Sequence, residues 1–128
     1  MTVQILPSAW EWLSRIKYSV RADFGEDVAQ RVTDQILNSL ERLEQFPDSG
    51  SMTPDPWLNN MGFRMVISDK RNVSIFRRVG KDIFVYIIAD TRTEYTKVFT
   101  EMIIASPDIV SELISNSEKK QDQQNERQ

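Results

Sequence analysis

The chain has 128 residues, 40% of them apolar and 27% charged, with a net charge of −3, which suits one compact domain whose core offsets the entropy of ordering the backbone. It contains no Cys and no His, which excludes disulfides, thiolate nucleophiles, Cys-ligated metal sites, the commonest general base and the commonest transition-metal ligand. No run approaches the roughly 18 apolar residues of a membrane span, and no basic segment followed by an apolar one opens the chain, so a cytoplasmic protein without metal, cofactor or membrane contact is expected.

Thr2 to Leu6 reads as a short first strand stopped by Pro7. Ser8 is then the expected N-cap of a helix, with Glu11 as its capping-box partner, and Trp10, Leu13, Ile16, Val20 and Phe24 recur at helical spacing as far as Gly25. Trp10 lies on that stripe and is expected in the core, while Trp12 is expected half exposed. A second stripe, Val28 or Ala29, Val32, Ile36, Leu40, Leu43 and Phe46, runs to Pro47. So short a link makes the two helices, near 8–24 and 26–46, an antiparallel hairpin.

PDSGSMTPDPWLNNMG, residues 47–62, concentrates turn residues and reads as a loop, pinned to the body by Trp57 and Leu58. Strands are expected at 63–68, 72–79 and 82–89, the last two joined at Gly80-Lys81 as a tight hairpin. The last strand has Ile83, Val85, Ile87 and Ala89 on one face and Phe84, Tyr86 and Ile88 on the other. Apolar on both faces, it is expected to be central in the sheet. On the middle strand Arg77 and Arg78 are consecutive, so they point to opposite faces unless the strand is bulged. Ser106-Pro107-Asp108 starts a short amphipathic helix bearing Ile109, Val110, Leu113 and Ile114, and residues 118–128 form a polar tail with no apolar residue, expected to be disordered.

Charge is unevenly spread. From Phe63 to Lys97 eight basic residues stand against four acidic ones, a net +4, which leaves −7 for the rest of the chain. An anionic partner at one face is one reading. A sheet edge protected by charge is the other.

The ordered set of a strand, a helical hairpin ending LERLEQFPDSG, a strand opening GFR, the hairpin NVSIFRRVGKDIFVYII and the closing ADTRTEYTKVF resembles the RelE/ParE superfamily of bacterial type II toxins over residues 1–105. The resemblance implies an α+β domain, residues 1–117, with an N-terminal helical hairpin packed on a small curved antiparallel sheet and a short C-terminal helix. It also implies a cognate antitoxin that holds the protein inactive, with the apolar face of Ile109, Val110, Leu113 and Ile114 as its expected docking surface.

In members that cut messenger RNA on the ribosome, basic residues and a Tyr on the open sheet face bind the backbone, activate the ribose 2′-hydroxyl and stabilise the pentavalent phosphate. That chemistry needs neither metal nor His, because the nucleophile belongs to the substrate. Carried over by position, Arg64 matches a basic residue of the strand after the loop and Arg92 the Arg after the central strand. Tyr95, or Phe99 by alignment from the other side, lies near the family's Tyr. Lys70, Arg71, Arg78, Lys81 and Lys97 then make the surface for nucleic acid or another target. The chain departs from the RNA-cutting pattern at Val66 and Val73, where basic residues are expected, and it has no His near the C-terminus. It resembles equally the ParE-like branch, whose studied members act on DNA gyrase. The expectation is therefore a growth-arresting toxin that binds a target such as gyrase, with ribosome-dependent RNA cleavage and an inactive antitoxin-binding or regulatory member as alternatives. For Arg92 the plain alternative is an ion pair with Asp90 or Glu94.

Overall fold

The computed structural model describes residues 2–106, 108 and 111. Chain order is β1 (Thr2–Ile5), α1 (Pro7–Phe24), α2 (Glu26–Gln45), α3 (Pro56–Asn60), β2 (Phe63–Ser68), β3 (Asn72–Val79), β4 (Asp82–Asp90) and α4 (Tyr95–Ile104). This is an α+β fold: a helical hairpin, an open four-stranded sheet of order β1-β4-β3-β2, and a short helix after it.

The sheet is mixed, where a wholly antiparallel one is expected from the resemblance. Two hairpin reversals leave β4 running in the direction of β2, and β1 adds parallel to the free side of β4, with Thr2 opposite Asp82 and Ile5 opposite Val85. That addition makes β4 central, as its two apolar faces require. Asp69 and Lys70 both have positive φ, 51° and 61°, in the three-residue connection between β2 and β3, whose turn is closed by the Arg71 N–H on the Ser68 carbonyl at 3.2 Å. Gly80 (φ 63°) turns β3 into β4.

Strict alternation along β4 fails at one place. The register passes from Ile75 opposite Ile87 to Phe76 opposite Val85, so Tyr86 is an extra residue in the ladder. Across this bulge Tyr86 and Ile87 both join one core cluster, with Val73, Ile75 and Ala89, while Ile83, Val85 and Ile88 join the other. Ile87 and Ala89 therefore lie on the face opposite to Ile83 and Val85, not beside them as the period of two predicts.

The first face, bearing Phe76, Ile83, Val85 and Ile88, lies under the hairpin residues Ala9, Leu13, Ile36, Leu40 and Leu43. The second, outer face is closed by Leu58 from α3 and by Phe99 and Ile103 from α4. There Phe63, Tyr86 and Phe99 form an aromatic group, with Phe63 edge-on to Tyr86 at 5.2 Å and to Phe99 at 5.0 Å.

Three local expectations are corrected. Leu6, not Ser8, is the N-cap of α1, with Pro7 in the first turn where its missing N–H costs nothing. The Ser8 hydroxyl instead donates to the Tyr86 carbonyl at 2.8 Å, the carbonyl of the bulge residue. Glu11, freed from a capping box, pairs with Arg15 at 2.7 Å. Trp10 is 47% exposed while Trp12 packs against the outer core cluster, because α1 rests on the sheet through Ala9 and Leu13 and Trp10 is turned about 100° from Ala9. Lastly, Tyr95–Ile104 is helical, where the sequence pattern assigns no element. The helix expected from Ser106 falls mostly beyond this: Asp108 and Ser111 are helical, whereas Ile109, Val110, Leu113 and Ile114 lie outside the described residues. Within the 47–62 segment, Leu58 is fully buried and Trp57 is 43% exposed, so of the two residues expected to pin the segment only Leu58 enters the core.

Candidate functional site

The strongest electrostatic feature lies where β4 runs out. Asp90 ends the strand, and its Oδ1 accepts from the Arg92 backbone N–H at 2.8 Å, closing an Asx turn. The Arg92 guanidinium folds back on the same carboxylate, with Nε at 3.0 and 3.2 Å from the two oxygens and Nη2 at 2.7 Å from Oδ2. The Asp90 carbonyl accepts from the Thr93 hydroxyl at 2.6 Å. Hydrogen bonding from the Arg92 side chain holds the Asp90 carboxyl below the usual carboxylate range, against the opposing cost of partial burial, with the Arg92 N–H and the charges of Arg92 and Arg71 adding to the effect. Arg92 is correspondingly raised by the same pair.

This turn is tied to the β2–β3 turn. Thr91 donates its N–H to the Arg71 carbonyl at 2.8 Å and its hydroxyl to the Lys70 carbonyl at 3.0 Å. Arg71, Asp90 and Arg92 rim a groove of about 290 Å3 whose apolar floor is Ile16, Val20, Val28 and Val32, where α1 and α2 meet the sheet end.

The three residues carried over as catalytic do not converge. Arg64 donates Nη1 to the carbonyls of Phe63 (2.7 Å) and Asn59 (3.2 Å). It stands opposite Phe76, whereas Asp90 stands opposite Asn72 and, beyond it, Ser68. Four residues of β2 therefore separate Arg64 from the rung of Asp90, about 13 Å. Tyr95 opens α4, and its hydroxyl reaches the Met65 sulfur at 3.8 Å. Met65 and Arg64 are adjacent on a strand and so point to opposite faces. Phe99 is fully buried in the aromatic group.

The basic residues expected to bind a target are also dispersed. Arg78 pairs with Asp48 at 2.6 Å and Lys97 lies 3.9 Å from Glu94. Lys70, Arg71 and Lys81 are exposed in the two strand turns. Among the described residues no group of three acidic, His or Cys side chains could hold a metal, and no helix is long and apolar enough to cross a membrane. Sequence reasoning missed two features: the Asp90 carboxylate as the organiser of its turn, which an Asp-Thr-Arg-Thr run at a strand end signals, and the burial of Arg77, which only the packing reveals.

No family model matches the sequence, and no curated protein matches it. Among solved structures, a chain of the chromosomal ParDE TA (toxin–antitoxin) system from P. aeruginosa superposes with a TM-score of 0.61 at 20% identity, over 70% of this chain and 95% of that one. The two chains share a fold. The likeness takes in nearly all of the ParDE-system chain.

Proposed function

We propose that this protein is the toxin of a type II toxin–antitoxin pair, neutralised in the bacterial cytoplasm by a cognate antitoxin, and that it arrests growth by binding an essential target such as DNA gyrase. The ParDE-like fold supports the toxin assignment. One observation carries the choice of binding over RNA cleavage: the cations that a pentavalent phosphate would need are engaged elsewhere. Arg64 is bonded to two backbone carbonyls and Arg92 to Asp90, on rungs far apart. The outer sheet face is closed by Leu58, Phe99 and Ile103, so it offers no open platform for a nucleotide. Transition-state charge is stabilised by groups already aimed at it, and these are aimed at the protein itself.

The reading is tested by inducing the chain alone and with the adjacent small reading frame, then assaying the purified protein on gyrase supercoiling and on ribosomes programmed with mRNA. Growth arrest relieved by the neighbour, loss of supercoiling and intact mRNA are expected. Cleavage of the mRNA in the ribosome, abolished by Arg64→Ala and by Tyr95→Phe, would establish the endoribonuclease instead. Absence of growth arrest with retained binding to the neighbour would leave a regulatory member.

A further inference from the structure

The groove at the sheet end has two unlike walls. The hairpin wall is aliphatic: Ile16 and Val20 of α1 and Val28 and Val32 of α2 line it and are all half-buried, so apolar surface remains open there. The sheet wall sets one carboxylate, Asp90, against two guanidiniums, Arg71 and Arg92. Arg92 takes both Asp90 oxygens. Arg71 is exposed and makes no ion pair among the described residues, its charge reaching Asp90 only through space. The fold uses the Arg71 backbone instead, whose N–H donates to the Ser68 carbonyl at 3.2 Å and whose carbonyl accepts from the Thr91 N–H at 2.8 Å. Of the other charges on the lining, Arg15 is held by Glu11 at 2.7 Å, and Asp23 of α1 makes no ion pair among the described residues. The groove thus joins an aliphatic floor to one uncommitted guanidinium, with one uncommitted carboxylate on the helix side.

We propose that this groove binds a free aliphatic monocarboxylate of medium length, its chain along Ile16, Val20, Val28 and Val32 and its carboxylate on Arg71. Length follows from volume: at roughly 30 Å3 for each water-sized group, 290 Å3 holds about ten non-hydrogen atoms, the size of octanoate. The headgroup follows from charge, because a guanidinium donates two parallel hydrogen bonds to a carboxylate and stays charged at any working pH. Asp23 limits the ligand to one negative charge, so a dicarboxylate or phosphate is repelled. A polypeptide partner would need about 800 Å2 of this chain for a stable complex and must draw most of it from surface outside the groove, whereas octanoate fills the groove by itself. The inference stands apart from the toxin reading.

The test is a titration of the full chain with butanoate, hexanoate, octanoate, decanoate and dodecanoate, read on the NMR methyl signals of Val20, Val28 and Val32. Saturable shifts are expected, with Kd falling by up to about fourfold per methylene as far as octanoate and levelling off beyond it, because the groove is then full. Octanamide should bind about two- to fivefold more weakly than octanoate, the worth of one solvent-exposed charge pair. Arg71→Gln, which keeps the backbone bonds, should abolish that preference at an unchanged Tm. Suberate, the dicarboxylate of the same length, should bind more weakly than octanoate and recover in Asp23→Asn. Absence of saturable methyl shifts, equal binding of octanamide, or affinity that keeps rising through dodecanoate, as in adsorption to any apolar surface, would each overturn the inference. So would tighter binding of suberate, of inorganic phosphate, or of Leu-Val-Leu with a free C-terminal carboxylate, the last by assigning the groove to a peptide.

Discussion

Asp90 serves two roles at one turn, and they separate by substitution. Its Oδ1 accepts a backbone N–H, which shapes the turn, and its charge holds Arg92. Asp90→Asn keeps an oxygen for the N–H and loses the ion pair; Asp90→Ala loses both. Ala is therefore expected to be the more damaging, by about 1 kcal/mol for the turn hydrogen bond. The carboxyl is held below its ordinary value of 3.8 in the folded chain, so its contribution is fully present above that value and is lost as pH falls through the lower, folded one. Thermal melts of wild type and Asp90→Asn should therefore differ at neutral pH and converge once pH drops well below 3.8. Arg92 is exposed, so Arg92→Ala should lower the melting temperature only slightly, by about what Asp90→Asn does at neutral pH, since both remove the same ion pair, and Arg92→Ala and Arg92→Lys should leave growth arrest nearly unchanged. Loss of growth arrest in Arg92→Ala with no larger change in melting temperature would place the guanidinium at the target instead.

At the scale of elements, what the sequence made legible and what it hid divide along period and packing. The helical hairpin and β2, β3 and β4 follow from apolar spacing and turn residues, and their ends fall within a residue of those expected. The bulge at Tyr86 was invisible because every residue from Ile83 to Ala89 is apolar, so no polar position marks the change of phase. Helix α4 was hidden by its opening: Glu94 makes no side-chain cap bond, and Thr96, Val98 and Thr100 argue for strand. The places of Arg64 and Arg92 were legible along the chain, but their distance across the sheet depends on register. Packing likewise explains Gly50, which reads in sequence as loop punctuation. A Cβ there would sit 2.5 Å from Phe76 Cζ and 3.2 Å from the Met65 carbonyl, while the neighbouring Ser51 exchanges two 2.8 Å hydrogen bonds with Met65 along the β2 edge. Gly50→Ala is therefore expected to cost roughly 1–3 kcal/mol by overpacking. Adding Phe76→Leu, which removes the ring, should make the double mutant less destabilised than the sum of the singles in denaturant titrations. Strict additivity would mean that the loop simply moves away.

For the whole molecule, the net +4 between Phe63 and Lys97 does not become a basic face, and the reason lies in where each charge is held. Arg77 is buried, Arg64 is bonded to carbonyls, Arg78 and Arg92 have acidic partners, and Lys97 lies near Glu94. The exposed remainder, Lys70 and Arg71 at one end of β3 and Lys81 at the other, is separated by the length of that strand, roughly 25 Å. That is about three Debye lengths at physiological salt, so the two groups cannot act as one field. An acidic chain with its cations so divided neutralises few phosphates at once, and affinity for nucleic acid falls with salt in proportion to that number. The protein is accordingly expected to pass through heparin unretained at about 0.15 M salt. Its binding to a non-specific RNA should show a logarithmic salt slope of about −1 to −2, the slope for one or two phosphates. A slope several times steeper, flattened by Lys70→Ala with Arg71→Ala, would reveal a continuous phosphate track and return RNA to the list of targets. A shallow slope beside tight, salt-resistant binding to gyrase would instead mean recognition by shape and apolar contact.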